Sequence, residues 1–132
     1  MWLLKTEPSA YSYADLERDG RTVWDGVTNP VALRNLKTMK AGDRAFVYHT
    51  GDEKAAVGLA EVVRAAYPDP KRKDARLFVV ELAAAGRLPR PVTLAQIKAL
   101  LVFKDSPLVR QGRLSVVPLT AAQWKAIEAE AR

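Results

Sequence analysis

The chain has 132 residues, 48% of them hydrophobic, a net charge of +6 and no cysteine. That length supports one domain with a real core rather than two, and the lack of thiols excludes disulfides, thiolate metal sites and a cysteine nucleophile. The charge is lopsided: residues 1–70 hold 9 basic and 10 acidic side chains, whereas residues 71–132 hold 12 and 5.

Taken in chain order, residues 2–5 read as a first strand. Ser12 is a helix N-cap, with Asp15 at N3 and Gly20 past the end, which predicts a short helix over 13–18. Residues 22–24 are a brief β-favouring run. A loop follows, closed by Asn29 as cap and Pro30 at N1 of a second helix. That helix carries Leu33, Leu36 and Met39 at helical spacing and is predicted to stop near Ala41 and Gly42. Residues 44–50 alternate as a strand, with Phe46, Tyr48 and Thr50 on one face and Ala45, Val47 and His49 on the other. Residues 56–66 supply a longer strand in which Gly58 suits a bulge. Tyr67-Pro68-Asp69-Pro70 breaks the pattern, and 77–82 resumes it.

Thr93 with Gln96 is a capping box before a helix over 94–101. Ser106-Pro107 opens a short turn ending at Gly112, and 113–117 is a strand. Thr120 with Gln123 is a second capping box, before a last helix bearing Trp124, Ile127 and Ala131. Five or six strands with helices between them make an α+β fold, and short connections favour a curled, barrel-like mixed sheet. No apolar run approaches the roughly 20 residues of a membrane span, so a cytoplasmic protein is expected.

Catalytic chemistry has little support. His49 is the one histidine, with no second His or Cys to complete a zinc site. No Gly-x-Ser-x-Gly elbow accompanies it, and no phosphate-cradling glycine loop is present. We therefore expect no catalytic residue, no metal and no cofactor.

What remains is a constellation of polar and aromatic residues at strand and loop ends. A base pocket needs a flat wall, hydrogen-bonding edges and closely approaching backbone. Trp24 or Tyr48 would give the wall, Gly26 and Val27 the backbone, and Glu7, Asn29, His49 or Ser115 the polar edge. Lys5, Thr50 and Leu114 lie in the same stretches. Each has a plainer explanation: Trp24 as core, Asn29 as a helix cap, His49 as a hydrogen-bonded strand residue and Glu7 as the end of a strand. The basic second half reads either as a solubilising surface or as a face for phosphates, and on the second reading Lys71, Arg72, Lys73, Arg110 and Arg113 make the phosphate contacts that supply most sequence-independent affinity for nucleic acid.

The stretches Trp2-Leu3-Leu4-Lys5-Thr6-Glu7-Pro8, Tyr11-Ser12-Tyr13-Ala14-Asp15-Leu16, Trp24-Asp25-Gly26-Val27 and Met39-Lys40-Ala41-Gly42-Asp43 resemble those of the EVE family, a branch of the PUA-like superfamily. So do Val47-Tyr48-His49-Thr50, the run from Val57 to Val63, Tyr67-Pro68-Asp69-Pro70, Leu108-Val109-Arg110 and the run from Arg113 to Pro118. They fall in family order over nearly the whole chain. The resemblance implies a single PUA-like mixed β-barrel domain over residues 1–132, with surrounding short helices. It also implies non-catalytic recognition of a modified base in DNA or RNA, by analogy with the YTH and ASCH domains. The alternative is a general RNA-binding module without preference for modification. Thr28 stands where the family commonly has arginine, Leu33 and Arg34 replace an Arg-Asn pair after Ala32, and Thr50 replaces serine.

Overall fold

The computed structural model describes all 132 residues. Six strands form one mixed sheet: β1 (Trp2–Thr6), β2 (Arg21–Trp24), β3 (Arg44–His49), β4 (Ala55–Pro68), β5 (Phe78–Thr93) and β6 (Val116–Pro118), in the order β2-β5-β4-β3-β1-β6. Only β1 and β3 run parallel; every other pair is antiparallel. Five α-helices are attached: α1 (Tyr13–Asp19), α2 (Pro30–Lys37), α3 (Leu94–Ala99), α4 (Pro107–Arg110) and α5 (Ala121–Glu130). None is long and apolar enough to cross a membrane.

The central strands are covered on both faces, so Ala45 to His49 are all buried despite their alternation. On one face Phe46 stacks on Trp124 of α5, ring centroids 4.0 Å apart. On the other, His49 meets α1 and accepts a hydrogen bond from the Tyr13 backbone N–H at 2.9 Å. The expected capping boxes form at Thr93 and Thr120, and the Ser12 N-cap expected with Asp15 closes as a capping box too. Asn29 caps α2 through Val31 and Ala32, as its position before Pro30 implies. That helix ends at Lys37, earlier than expected, and the Thr38 hydroxyl donates to the Asn35 carbonyl at 2.7 Å.

Two strands depart from their expected lengths. β5 runs on to Thr93, through Pro89 and Pro91. The prolines cost no ladder bond, because β4 pairs with Arg87 through Gly58 and with Val92 through Ala56, leaving the residues between them unpaired. Gly58 does lie at this irregularity. β6 is shorter than expected, beginning only at Val116.

The expected α+β fold with a curled mixed sheet is present, but the sheet does not close into a barrel. The sheet is open: β2 and β6 are terminal strands of four and three residues with no pairing between them. Four register shifts between β4 and β5 let these long strands bend. A cleft lies along the seam left between β2 on one side and β1 with β6 on the other.

Candidate nucleic-acid interface

A cleft of about 750 Å³ opens along this seam. One wall comes from the end of β1 and the turn after it, through Lys5, Thr6, Glu7 and Tyr11, with Ser115 beside them. The other comes from β2 and the following loop, through Arg21 to Val27, and Lys71 completes the rim. Lys5 and Ser115 are tied together, the Lys5 N–H donating to the Ser115 carbonyl at 2.9 Å.

Trp24 is largely buried, with 7% of its surface exposed, so it offers an edge to the cleft rather than a whole face. Tyr11 packs against it edge-on, with centroids 6.3 Å apart and planes at 86°. The Tyr11 hydroxyl donates to Asp19 at 2.8 Å, and burial pushes its phenol above the ordinary value. The two rings form one L-shaped aromatic corner.

The loop beyond Trp24 supplies open backbone. No backbone hydrogen bond of the turns, loops or caps involves Asp25, Gly26, Val27 or Thr28. Gly26 has φ of +80°, a conformation open to glycine at little cost. Unpaired N–H and C=O groups beside an aromatic corner suit hydrogen bonds to the edge of a planar ligand.

The charges are mixed. The half-buried Lys5 ammonium donates to the Gly112 carbonyl at 2.9 Å, and burial lowers its pKa below 10.5. Glu7 receives the Ser9 N–H and hydroxyl at 3.3 and 3.2 Å on one oxygen and the Thr50 hydroxyl at 3.2 Å on the other. Arg21 is held by Glu81 at 2.7 Å. Tyr67 donates to the same carboxylate at 2.7 Å, and these bonds, Tyr67 foremost, hold Glu81 down to about 2.

Of the residues proposed from sequence, Lys5, Glu7, Trp24, Gly26, Val27 and Ser115 line this cleft, and Lys71 is the phosphate candidate that reaches it. The others are not in its lining. Tyr48 and Thr50 line an adjoining cavity of about 180 Å³ that shares Lys5 with the cleft: the Lys5 ammonium sits 5.6 Å from the Tyr48 ring centroid, and the Thr50 hydroxyl donates to Glu7. Asn29, Arg113 and Leu114 border another of about 240 Å³. His49 faces α1 instead: its Nε2 accepts from Tyr13, which places the ring proton on Nδ1, 2.6 Å from Glu53. Both nitrogens are engaged, which leaves none for a base edge. Arg72 borders a further groove, Arg110 pairs with Asp105 at 2.5 Å, and Lys73 is exposed outside these cavities. Thr28 and Leu33, two of the departures from the family pattern, line that same groove.

Tyr11 and the β2 residues Arg21, Thr22 and Val23 were missed. The Tyr11 signal lay in its motif, whereas β2 gave none. Its four residues matter because β2 pairs with β5 alone and leaves its outer edge free.

A family model described as the EVE domain matches residues 1–130. A Rhodopseudomonas palustris protein solved by NMR is 40% identical, with a TM-score of 0.92 over 98% of this chain and 91% of that one. Human thymocyte nuclear protein 1 is 29% identical over 93% of this chain and 70% of its own length. The crystal structure of the human THYN1 protein in complex with DNA containing 5-methylcytosine has a TM-score of 0.91 at 28% identity, covering 99% of this chain and 96% of that one. An ASCH protein of Zymomonas mobilis, 11% identical with a TM-score of 0.62, shares the fold alone.

Proposed function

The chain belongs to the EVE domain family, and from that premise we propose that it reads a modified base in DNA by binding, without chemical turnover. The observation that carries this reading is the seam cleft, which joins an aromatic corner, free loop backbone and the cations Lys5 and Lys71 in about 750 Å³. The human relative bound to 5-methylcytosine DNA makes that base the first ligand to try.

The energetics assign roles to the parts. Extracting a base from a duplex costs a few kcal/mol, and contact with an aromatic returns about 1–3 kcal/mol. A single methyl group adds only about 0.8 kcal/mol, near fourfold. Selectivity beyond that comes from edge hydrogen bonds that the wrong base leaves unpaired. The backbone of residues 25–27, Ser115 and Glu7 fill that role, and Tyr11 with Trp24 supplies the apolar corner.

The test is a titration of the protein's tryptophan fluorescence with paired duplexes, one carrying 5-methylcytosine and one plain. Binding should quench Trp24, and Trp24→Phe should abolish the change, since Trp24 lines the cleft and Trp2 and Trp124 do not. Tyr11→Ala should weaken the modified duplex more than the plain one. Equal affinity for both duplexes, and for RNA of the same sequence, would instead favour the general RNA-binding alternative.

A further inference from the structure

A second groove, of about 730 Å³, runs between α2 and the segment after β4, and nothing in the proposed reading uses it. Its charged lining is Arg34, Lys37, Arg72 and Arg76 against one acid, Asp74, a local balance of +3. The cations are only partly satisfied within the protein. Arg76 pairs with Asp74 at 2.8 Å, but Arg72 lies 3.9 Å from Asp69, and Arg34 has no ion pair. The Lys37 ammonium sits 4.3 Å from the centroid of the Phe78 ring, where it remains open to an anion.

The position of this groove is as telling as its charge. Val27 lines the seam cleft and Thr28 the groove; Lys71 lines the cleft and Arg72 the groove. Each pair is consecutive in sequence, with Cα atoms about 3.8 Å apart. The two depressions therefore adjoin across two peptide junctions.

We infer that this groove seats the sugar-phosphate backbone of the strand whose base enters the seam cleft. The inference rests on the base-reading proposal for the order of events, though not for the charge argument. Lys71 stands at the crossing. Arg34 and Lys37, three residues apart on α2, present two neighbouring cations to successive phosphates. These contacts carry no sequence or modification information, so the groove sets affinity and the cleft sets selectivity.

The experiment measures binding of a fluorescein-labelled duplex with one 5-methylcytosine, and of its plain counterpart, across roughly 50–200 mM salt. The Arg34→Gln/Lys37→Gln double variant should weaken both duplexes by the same factor, leave their ratio unchanged, and reduce the slope of log K against log salt by about 2. Asp74→Asn, which adds no bulk, should tighten both duplexes, and it keeps the test decisive if the double variant folds poorly. Wild-type affinity and slope in the double variant, with the preference for the modified duplex intact, would overturn the groove and leave base reading standing. A double variant that alters the ratio would also overturn it. A wild-type protein with no preference, whose slope still falls in the double variant, would sink base reading and keep the groove.

Discussion

Gly58→Ala should be among the most damaging small changes in the molecule. Tyr13 is fully buried, and its ring lies directly on β4 at Gly58. A Cβ there would sit 2.3 Å from Tyr13 Cε1 and 2.4 Å from Cζ, over 1 Å inside ordinary contact. The ring cannot simply rotate away. Its hydroxyl donates to the Leu59 carbonyl at 2.7 Å and accepts from the Gly86 N–H at 3.0 Å. Overpacking costs about 1–3 kcal/mol, and each hydrogen bond lost in the interior costs about 1 kcal/mol. The sum is about 3–5 kcal/mol, a large part of the roughly 5–15 kcal/mol that holds a domain folded. Urea denaturation monitored by tryptophan fluorescence measures it, with Tyr13→Phe as a control that keeps the ring and removes the hydroxyl. Gly58→Ala and Tyr13→Ala should also be non-additive, because Gly58→Ala has no ring to displace once Tyr13 is truncated. A loss below about 1 kcal/mol for Gly58→Ala would show that the ring moves freely and that Tyr13 does not pack α1 rigidly on β4.

Three further outcomes follow from the same geometry. His49→Phe should cost about 1–3 kcal/mol in urea melts, since the Tyr13 N–H loses its acceptor inside the protein, while base selectivity stays as it was; a selectivity change would return His49 to the reading site. Asn29→Ala should cost about 0.5–2 kcal/mol as a lost helix cap, again without changing the ratio of modified to plain affinity. Glu81 is held down to about 2 from an ordinary 4.5, so the unfolded chain binds more protons between those values. Its stabilisation is therefore complete above about pH 4.5 and lost as pH falls towards 2, and Glu81→Gln should flatten stability measured across that window.

The one-dimensional signals translated well because their physics is local. A capping box is closed by residues three apart, so Ser12, Thr93 and Thr120 announced their helices directly. Asn29 before Pro30 did the same. Half of the cleft was legible for a related reason: Trp24, Gly26 and Val27 form one continuous stretch, with Lys5 and Glu7 in another. Failures came where the outcome depended on a distant partner. The strand read over 77–82 continues to Thr93 through Pro89 and Pro91, because β4 leaves those residues unpaired and the missing N–H groups go unused. His49 shares a strand with Tyr48, yet alternation sends it to the face covered by α1, where Tyr13 and Glu53 use both ring nitrogens.

By itself, then, the sequence determined an α+β domain, its helix starts, its lack of thiol or multi-histidine chemistry, and the family resemblance carried by motifs in order. Those properties depend on neighbours within a few residues, or on composition. Only the tertiary structure decided that the sheet stays open, and with it which side chains share the cleft. Closure is settled by whether β2 meets β1 and β6, which lie at the opposite end of the sheet and do not pair with it. The seam they leave brings Tyr11 and Arg21 to Trp24 and Ser115, and it sets a basic groove one residue away across Val27-Thr28 and Lys71-Arg72.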